Sequence, residues 1–295
     1  MKIVAIDIGG TEIKGFLMNP SKLKEHRVKT DLSKGKDTIL RSLFDVIDFL
    51  FEDDVQAVSI VTAGTIDTET MTIIDNLGTM PGWLHLNLGA TVKERYNCPV
   101  FVDNDANGAM IGEMQHHLDS GIKNAVMITL GTGVGTALYL SGKLYRGSSY
   151  RVEFGHTVLH PQGILCTCGR QGCAEQYVSG SALTRKAKQE LDAQMIHGSK
   201  FFEYLKMSHP KALKIWMSYI DDLAIFIQNI NQVIDPEIFI IGGGLIHSKE
   251  FLLPSLEKAL SEFRFQKTIH PAIHGNNAGI LGAYHFALER LSHHE

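Results

Sequence analysis

One short pattern occurs twice in this sequence, and it constrains the fold more than any other feature. Residues 3–18 contain an apolar strand, a glycine-rich turn at 9–11 and a second apolar strand. Residues 125–140 repeat this plan around a second glycine-rich turn at 131–133. Two such hairpins, about 120 residues apart, predict a chain whose two halves are built on one plan.

Between and after the hairpins, segments with helical spacing alternate with short apolar runs, and this alternation predicts an α/β fold. Helices are predicted at 37–51, 88–96, 103–113, 179–188, 212–234 and 276–291. Buried strands are predicted at 55–61, 99–102 and 237–241.

A chain of 295 residues can bury a large core, and a division into two domains is expected. We expect residues 1–117 to form an N-terminal α/β domain, with a C-terminal helix at about 276–292 packing back on it. Residues 118–275 are expected to form a second α/β domain that carries the cysteine-rich loop described below.

The composition argues against several classes of protein. Hydrophobic residues make up 44% and charged residues 20%, which is ordinary for a globular protein. A net charge of −4 gives no reason to expect nucleic acid or an anionic membrane surface as a partner. The sequence also lacks a signal peptide and any apolar run near the roughly 20 residues of a membrane span. Because Cys98 is isolated and no disulfide framework is evident, a reducing cytoplasm is the expected location.

Three of the four cysteines, Cys166, Cys168 and Cys173, lie close together, and His156 precedes them. Together they form a Cys₃His set, which is the donor set of a closed structural zinc site. A cluster of ordinary buried thiols is the alternative. A disulfide between Cys166 and Cys168 would close too small a ring to form without strain.

Both glycine turns can present backbone N–H groups to a phosphate, because glycine lets an anion approach the chain closely. Asp7 precedes the first turn at a strand end, where a carboxylate can hold Mg²⁺ through water. Lys14 follows that turn and either reaches a phosphate or is solvated. Either turn alone would be ordinary, but the pair predicts a two-sided phosphate clamp. The clamp residues are Gly9, Gly10, Thr11, Gly131, Thr132 and Gly133.

A third glycine-rich segment, Gly242-Gly243-Gly244, follows an apolar strand and either forms the floor of an adenine site or turns the chain. Neither glycine turn matches the Walker A pattern, and no G-x-G-x-x-G opens a helix after the first strand. These two observations weaken a dinucleotide-binding interpretation.

Asp103, Asn104 and Asp105 lie at a predicted strand-to-helix junction, and helix capping explains only one of the three. One carboxylate can accept a proton from a hydroxyl nucleophile while the asparagine orients that nucleophile. A polar loop after the strand at 55–61 offers either hydroxyl-directed hydrogen bonds or plain turn chemistry, at Gly64, Thr65 and Asn76.

Glu153, Glu175 and Asp105 supply the acceptors that a polyol site needs, since sugars bind through hydrogen bonds to carboxylates and amides. Paired carboxylates also occur in glycosidases, but that interpretation leaves both phosphate-type turns unexplained. A zinc hydrolase is a weaker alternative, because a Cys₃His set leaves no open coordination position for water.

Taken together, these motifs resemble the ROK family of bacterial sugar kinases and repressors. The resemblance runs in order along nearly the whole chain, and its cysteine motif is highly specific to that family. Its motifs here are Asp7-Ile-Gly-Gly-Thr11, Asn104-Asp105, Glu153-x-Gly155-His156, Cys166-x-Cys168-Gly-x-x-Gly-Cys173-x-Glu175, Gly242-Gly-Gly244 and Ala278-Gly-Ile-Leu-Gly282-Ala283.

The resemblance implies an actin-like ATPase (ribonuclease H-like) fold of two α/β domains with a cleft between them. It also implies phosphorylation of a hexose or amino-sugar hydroxyl by ATP, with Mg²⁺ and a structural Zn²⁺ as cofactors and a homodimer as the assembly. Asp105 resembles the catalytic base. The residues that resemble sugar ligands are Asn104, Asp105, Glu153, His156 and Glu175, and those that match zinc ligands are His156, Cys166, Cys168 and Cys173.

The chain departs from the family pattern at two places. Members often have Gly-Gly after the second phosphate loop, where this chain has Thr136-Ala137, and Ala-Gly before the glutamate, where it has Arg151-Val152. Both changes touch the rim of the expected active site, so the preferences of a typical member do not transfer. Glucose, fructose, mannose, N-acetylmannosamine, N-acetylglucosamine and a β-glucoside all remain candidate substrates.

Two other functions compete with a kinase. A sugar-responsive repressor of this kind would carry a winged helix-turn-helix domain, and Asp7 lies too close to Met1 for us to expect one. A sugar-binding regulatory protein without kinase activity is the other alternative, and the intact Asn104-Asp105 pair argues against it.

Overall fold

The structure is a computed structural model that describes residues 1–76, 80–117, 120–195 and 198–292. The chain forms two compact units, which we describe one at a time. Unit 1 comprises Met1–Gly121, Leu144–Arg151 and Asn276–Glu295, and unit 2 comprises Ile122–Lys143 and Val152–Gly275.

Unit 1 is built on a five-stranded sheet with the strand order β3-β2-β1-β4-β7. Its strands are β1 (Ile3–Ile8), β2 (Glu12–Asn19), β3 (Ser21–Lys29), β4 (Ala57–Thr62) and β7 (Val100–Asn104), and a separate ribbon consists of β5 (Thr65–Asp67) and β6 (Thr72–Asp75). Its helices are α1 (Lys36–Leu50), α2 (Leu88–Lys93), α3 (Asp105–His117) and α9 (Ala278–Ser292). The first three strands are antiparallel, whereas β4 is parallel to both β1 and β7.

Unit 2 repeats this arrangement, with the strand order β10-β9-β8-β11-β12. Its strands are β8 (Ala125–Leu130), β9 (Val134–Leu140), β11 (Ile238–Gly242) and β12 (Thr268–Pro271), and the edge strand β10 (Lys143–Tyr145) begins in unit 2 and ends within the Leu144–Arg151 segment of unit 1. Its helices are α4 (Glu175–Val178), α5 (Gly180–Glu190), α6 (Ser199–Lys206), α7 (Pro210–Ile234) and α8 (Lys249–Ser261). In both units an antiparallel hairpin adjoins two parallel strands, so the predicted α/β fold and the repeated plan are confirmed.

The sheet of unit 1 is covered on both faces, because apolar side chains project from each face into a hydrophobic core. In β1, Val4 and Ile6 pack in one core with α1, while Ile3 and Ala5 pack in a second core with α9. This follows from the two-residue period of a strand, which sends successive side chains to opposite faces.

Several elements were missed in the sequence analysis, and for two of them, β3 and α8, the reason is identifiable. The edge strand β3 has the sequence SKLKEHRVK, which is highly charged and largely exposed, so it lacks the apolar alternation of a buried strand. Helix α8 contains Pro254, a residue that normally argues against a helix interior.

Helices α3 and α9 approach each other closely because glycines line their contact. A Cβ added at Gly282 would overlap the carbonyl oxygen of Gly108, and one added at Gly112 would overlap that of Ala278. Only glycine fits where two helix backbones approach this closely. This contact also keeps the C-terminal helix packed on β1 and β4.

None of the helices that the structure describes combines the length and the apolar composition that a membrane span needs.

We predict that Gly282→Ala lowers the free energy of unfolding by about 2 kcal/mol or more, because the added methyl forces the two helices apart. Chemical denaturation monitored by circular dichroism measures this change. Glu289→Ala, on the exposed side of the same helix, is the control and should change stability by less than about 0.5 kcal/mol. Equal stability of the two variants would contradict the close contact.

Candidate active site and metal centre

The first glycine turn joins β1 to β2 and is held by the neighbouring strand. Gly9 N donates to Glu12 O at 3.0 Å, and Thr30 Oγ1 donates to Gly9 O at 2.8 Å. Gly10 and Thr11 at its tip are exposed. A Cβ at Gly10 would meet nothing nearer than Leu32, at 3.9 Å, so the fold itself leaves space beside this residue.

Asp7 lies near the end of β1, directly opposite Lys14 on the neighbouring strand β2. Desolvation raises the pKa of Asp7 to about 7, and the charge of Asp105 acts in the same direction. A cation bound beside Asp7 would favour the charged form of this carboxyl and lower its pKa.

Lys14 is buried rather than exposed, and its ammonium group has partners within unit 1. Lys14 Nζ donates to Asn276 O at 2.8 Å and to Asn277 Oδ1 at 3.4 Å. These contacts tie β2 to the segment just before α9. Its contact with a phosphate stays a prediction.

At the end of β7, three consecutive polar residues have different roles. Asp103 is 1% exposed, and its carboxylate accepts hydrogen bonds from Asn104 N at 2.7 Å and Asn107 Nδ2 at 2.9 Å. Asn104 is the capping residue, because its Oδ1 accepts from the N–H groups of Ala106 and Asn107.

Asp105, the first residue of α3, has an exposed carboxylate that accepts a hydrogen bond from its neighbour Ala106 N at 2.8 Å. Desolvation nevertheless raises the pKa of Asp105, because protein atoms surround it closely. Among the three residues, Asp105 therefore offers solvent a carboxylate of raised basicity.

The predicted polar loop contacts this junction directly. Asn104 Nδ2 donates to Gly64 O at 2.9 Å. Gly64 has φ of 111°, and Thr65 begins β5 opposite Asp75. Asn76 follows Asp75 and donates through Nδ2 to Met80 O. The structure thus brings Gly64, Thr65, Asn76 and Asn104 together within unit 1.

In unit 2, Gly131 and Thr132 of the second glycine turn and Gly244 of the third glycine-rich segment line one open cavity of about 1020 Å³, whereas Gly133, Gly242 and Gly243 are not among its lining residues. Gly243, with φ of 81°, packs against the backbone of Leu130, so the turn after β11 closely follows the end of β8. Further lining residues come from α5 and its N-terminus, namely Gly180, Ser181, Thr184, Arg185 and Lys188.

The start of α5 is capped by Ser179, whose Oγ accepts from Ala182 N at 3.0 Å. Gly180 N donates to Gly131 O at 2.8 Å, which fixes the second glycine turn to this helix. Helix N-termini favour anions because their first N–H groups lack intrahelical acceptors. The cavity therefore combines a glycine turn, a helix N-terminus and cationic side chains.

Glu153 is positioned by a residue that departs from the family pattern. Thr136 Oγ1 donates to Val152 O at 2.8 Å and accepts from Phe154 N at 3.1 Å, so one hydroxyl holds the backbone on both sides of Glu153. A glycine at position 136 would lack this hydroxyl.

The four predicted zinc ligands converge. The ligand atoms of His156, Cys166, Cys168 and Cys173 all lie within 4.8 Å of one another. Cys166 Sγ lies 3.5 Å from His156 Nδ1, and Cys168 Sγ lies 3.5 Å from Cys173 Sγ. Ligand atoms about 2.3 Å from a tetrahedral Zn²⁺ would be about 3.8 Å apart, so the donor set and its size fit zinc.

The loop that carries these sulfurs needs two glycines in the left-handed region. Gly169 and Gly172 have φ of 85° and 80°. A Cβ at Gly172 would overlap the carbonyl oxygen of His160. All four cysteines of the chain are free.

Glu175 begins α4 directly after the metal loop and faces the second glycine turn. Its Oε2 accepts from Val134 N at 3.0 Å, and a Cβ at Gly133 would overlap this oxygen. The next residue, Gln176, directs Nε2 at Cys166 Sγ at 3.6 Å. Arg185 holds Gln176 through both its side-chain and its backbone oxygen. A bound metal would therefore fix a carboxylate beside the glycine turn.

Sequence reasoning missed several residues that these contacts involve. The roles of Asp103, Thr136, Gln176 and Arg185 depend on partners distant in sequence, so no local motif marks them. The capping serine before α5 was the one signal that could have placed its N-terminus in the cavity.

Comparisons with known proteins identify the family of this chain. The model of the ROK family matches residues 3–290. A glucokinase of Streptomyces coelicolor is 30% identical over 97% of this chain and 97% of its own length. An N-acetylmannosamine kinase of Citrobacter koseri is also 30% identical, over 96% of this chain and 97% of its own length.

Comparison with a solved structure identifies the fold. A ROK family glucokinase from Streptomyces griseus, in complex with glucose and AMPPNP, is 31% identical with a TM-score of 0.86, covering 98% of this chain and 100% of that one. This likeness confirms the expected actin-like ATPase fold.

We predict that Cys168→Ser lowers the zinc content of the purified protein and weakens sugar binding, because the metal orders the loop leading into Glu175. Elemental analysis and calorimetric titration with glucose measure the two effects. Cys98→Ser, outside the metal cluster, is the matched control and should keep full zinc. Absence of zinc from wild-type protein purified without chelator would contradict the prediction.

Proposed function

This chain belongs to the ROK family, and from that premise we propose that it is an ATP-dependent hexose kinase. It transfers the γ-phosphoryl group of ATP to the 6-hydroxyl of glucose or a related hexose or amino sugar. The observation that carries the proposal is the division of roles at the end of β7. Asp103 and Asn104 are engaged in structural hydrogen bonds, while Asp105 presents an exposed carboxylate at the start of α3.

Asp105 is the proposed catalytic base. A general base works best when its pKa approaches the working pH, and desolvation moves the pKa of Asp105 in that direction. Its neighbour Asn104 is fixed by three hydrogen bonds, to Gly64 O and from two N–H groups of α3. This rigidity supports accurate placement of a sugar hydroxyl beside Asp105.

ATP is the proposed phosphoryl donor, and two sets of residues support this. In unit 2, the second glycine turn, the N-terminus of α5 and Arg185 line the same cavity, a combination that suits a polyanion. In unit 1, the exposed N–H groups at Gly10 and Thr11 offer further donors. Asp7 is the proposed holder of Mg²⁺, which when bound would neutralise charge on the phosphates.

The sugar is the proposed ligand of two groups of residues. Unit 1 contributes Gly64, Thr65, Asn76, Asn104 and Asp105, and unit 2 contributes Glu153, His156 and Glu175. Carboxylates held by backbone contacts discriminate strongly between hydroxyl patterns, because an unmatched acceptor would be left unpaired. The zinc-type cluster supports the second group, since His156 belongs to it and Glu175 follows it.

The proposed reaction is a direct transfer of the γ-phosphoryl group to the sugar hydroxyl. The sugar hydroxyl loses its proton to Asp105 and forms a bond to the γ-phosphorus, while the bond to the β,γ-bridging oxygen breaks and ADP leaves. Positioning and charge stabilisation dominate such a transfer, and the residues described above supply both.

The proposal also covers the oligomeric state of the protein and its cellular compartment. We propose a homodimer, as the family resemblance implies. A reducing cytoplasm is supported by the four free cysteines, three of which form the metal cluster as thiols.

We predict that Gly10→Val raises the KM for ATP at least about tenfold or abolishes turnover, because Cβ occupies the space through which phosphate oxygens approach the backbone. The neighbouring space tolerates the side chain, since Leu32 lies 3.9 Å from the added atom, so the variant should fold. Steady-state kinetics with varied ATP measure the effect, and a thermal melt confirms folding. A folded variant with unchanged ATP kinetics would show that this turn does not bind phosphate.

The central test is a coupled assay of ADP release across the six candidate sugars, applied to wild-type protein and to Asp105→Asn. The variant keeps the shape of the side chain but cannot accept a proton, so kcat should fall by at least about 100-fold. Sugar affinity should change far less. Asp45→Asn, on the surface of α1, is the control and should retain wild-type kcat.

The same assay has a pH signature. Because Asp105 must be deprotonated to act, wild-type kcat should fall as the pH decreases through its pKa, above the ordinary value of 3.8. In Asp105→Asn, the residual kcat should not show this decrease. Wild-type protein that binds a sugar but releases no ADP would favour the sugar-binding regulatory protein instead.

A further inference from the structure

The segment from Leu144 to Arg151, which we call the connecting segment, has an unusual place in the chain. Its residues belong to unit 1, although Lys143 before it and Val152 after it belong to unit 2. Two arginines of the connecting segment each pair with an aspartate of unit 1. In both cases the aspartate directly precedes a proposed sugar ligand in the sequence.

In the first pair, two nitrogens of Arg146 donate to one oxygen of the buried Asp103 carboxylate. Arg146 Nε and Nη2 donate to Asp103 Oδ2 at 3.1 and 2.6 Å. The guanidinium also lies over the ring of Phe286 in α9, with 5.1 Å between its carbon and the ring centroid. Because Asp103 is almost fully buried, its carboxylate needs hydrogen-bond donors within the protein, and Arg146 supplies two of them.

Asp103 connects this arginine to the proposed base. Its other oxygen accepts from Asn104 N and from Asn107 Nδ2, so it holds the backbone just before Asp105 and a side chain of the first turn of α3 after it. Loss of Arg146 would free the Asp103 carboxylate to rotate towards water. The first turn of α3, and Asp105 with it, would then lose its fixed position.

The second pair, between Arg151 and Asp75, is more exposed. Arg151 Nη2 lies 3.3 Å from Asp75 Oδ2. Asp75 is paired with Thr65 in the ribbon β5–β6, and Asn76 follows it. Tyr150 of the connecting segment also lies near this ribbon, because burial first and then the neighbouring Asp67 carboxylate raise the pKa of its hydroxyl.

We propose that Arg146 and Arg151 are positioning residues for the sugar phosphorylation, an inference that rests on the proposed function. Arg146 acts through Asp103 on the catalytic base, and Arg151 acts through Asp75 on the loop of Thr65 and Asn76. The connecting segment thereby aligns two parts of the sugar site.

The two pairs predict different kinetic effects. Arg146 controls the geometry of proton transfer, so Arg146→Met should lower kcat at least about tenfold while sugar KM changes less than about threefold. Arg151 orients sugar ligands through an exposed pair that contributes little to stability, so Arg151→Met should raise sugar KM about fivefold with kcat within about twofold.

Arg95→Met is the matched control. Arg95 likewise pairs with one aspartate, Asp48, and lies over an aromatic ring, that of Phe44 at 5.0 Å, but it contacts no proposed site residue. It should change neither kcat nor sugar KM. Arg146→Lys keeps the charge but loses the two-pronged geometry, so it should recover part of kcat.

The experiment measures kcat and sugar KM for these variants with ATP and the panel sugar that wild-type protein phosphorylates best. Thermal melts identify variants that fail to fold, and Asp103→Asn/Arg146→Met removes both charges if Arg146→Met alone is unstable. If Arg146 acts through Asp103, the double variant should be no slower than Asp103→Asn, rather than showing the product of two losses.

If wild-type protein releases ADP, either of two results would overturn the inference. One is kinetics of folded Arg146→Met and Arg151→Met that equal those of Arg95→Met. The other is a multiplicative loss in the double variant. Wild-type protein without ADP release on any panel sugar would instead contradict the proposed function, so the two failures are distinguishable.

Discussion

The close contact of α3 and α9 is the constraint on which the proposed catalytic centre of unit 1 depends. Gly112 and Gly282 let the two helix backbones touch, where a Cβ would force them apart. Helix α3 begins at Asp105, and α9 begins beside Asp7, whose carboxylate would lie 2.9 Å from a Cβ at Gly279. The spacing of the two carboxylates therefore follows from backbone packing, and their mutual repulsion contributes to the pKa of about 7 at Asp7.

Unit 2 holds its candidate site residues in position by means other than close helix packing. Its metal loop is too short and too polar to be held by a hydrophobic core of its own, and four converging ligands take that role. The loop leads directly into Glu175, and Gln176 is tied both to Cys166 and to Arg185 in the wall of the open cavity. A bound metal, a candidate sugar ligand and the candidate nucleotide cavity are thus connected through a few consecutive residues.

The departures from the family pattern fit this view of a site held by its neighbours. Thr136 supplies a hydroxyl that holds the backbone around Glu153, and Arg151 supplies a charge for Asp75. Neither residue replaces a proposed ligand. Both change how tightly a ligand-bearing segment is held, and this is the level at which substrate preference can differ between proteins with identical ligands.

The sequence by itself determined the repeated hairpins, the α/β class and the metal cluster, because glycine turns, apolar periodicity and cysteine spacing are local signals. It also singled out the Asp103–Asp105 junction, but it could not divide the three residues into roles. That division depends on Arg146, which lies 43 positions away in sequence, and on Gly64. Buried charge pairs and close helix contacts join residues that are distant along the chain, so only the tertiary structure decided which carboxylate is held and which is presented to solvent.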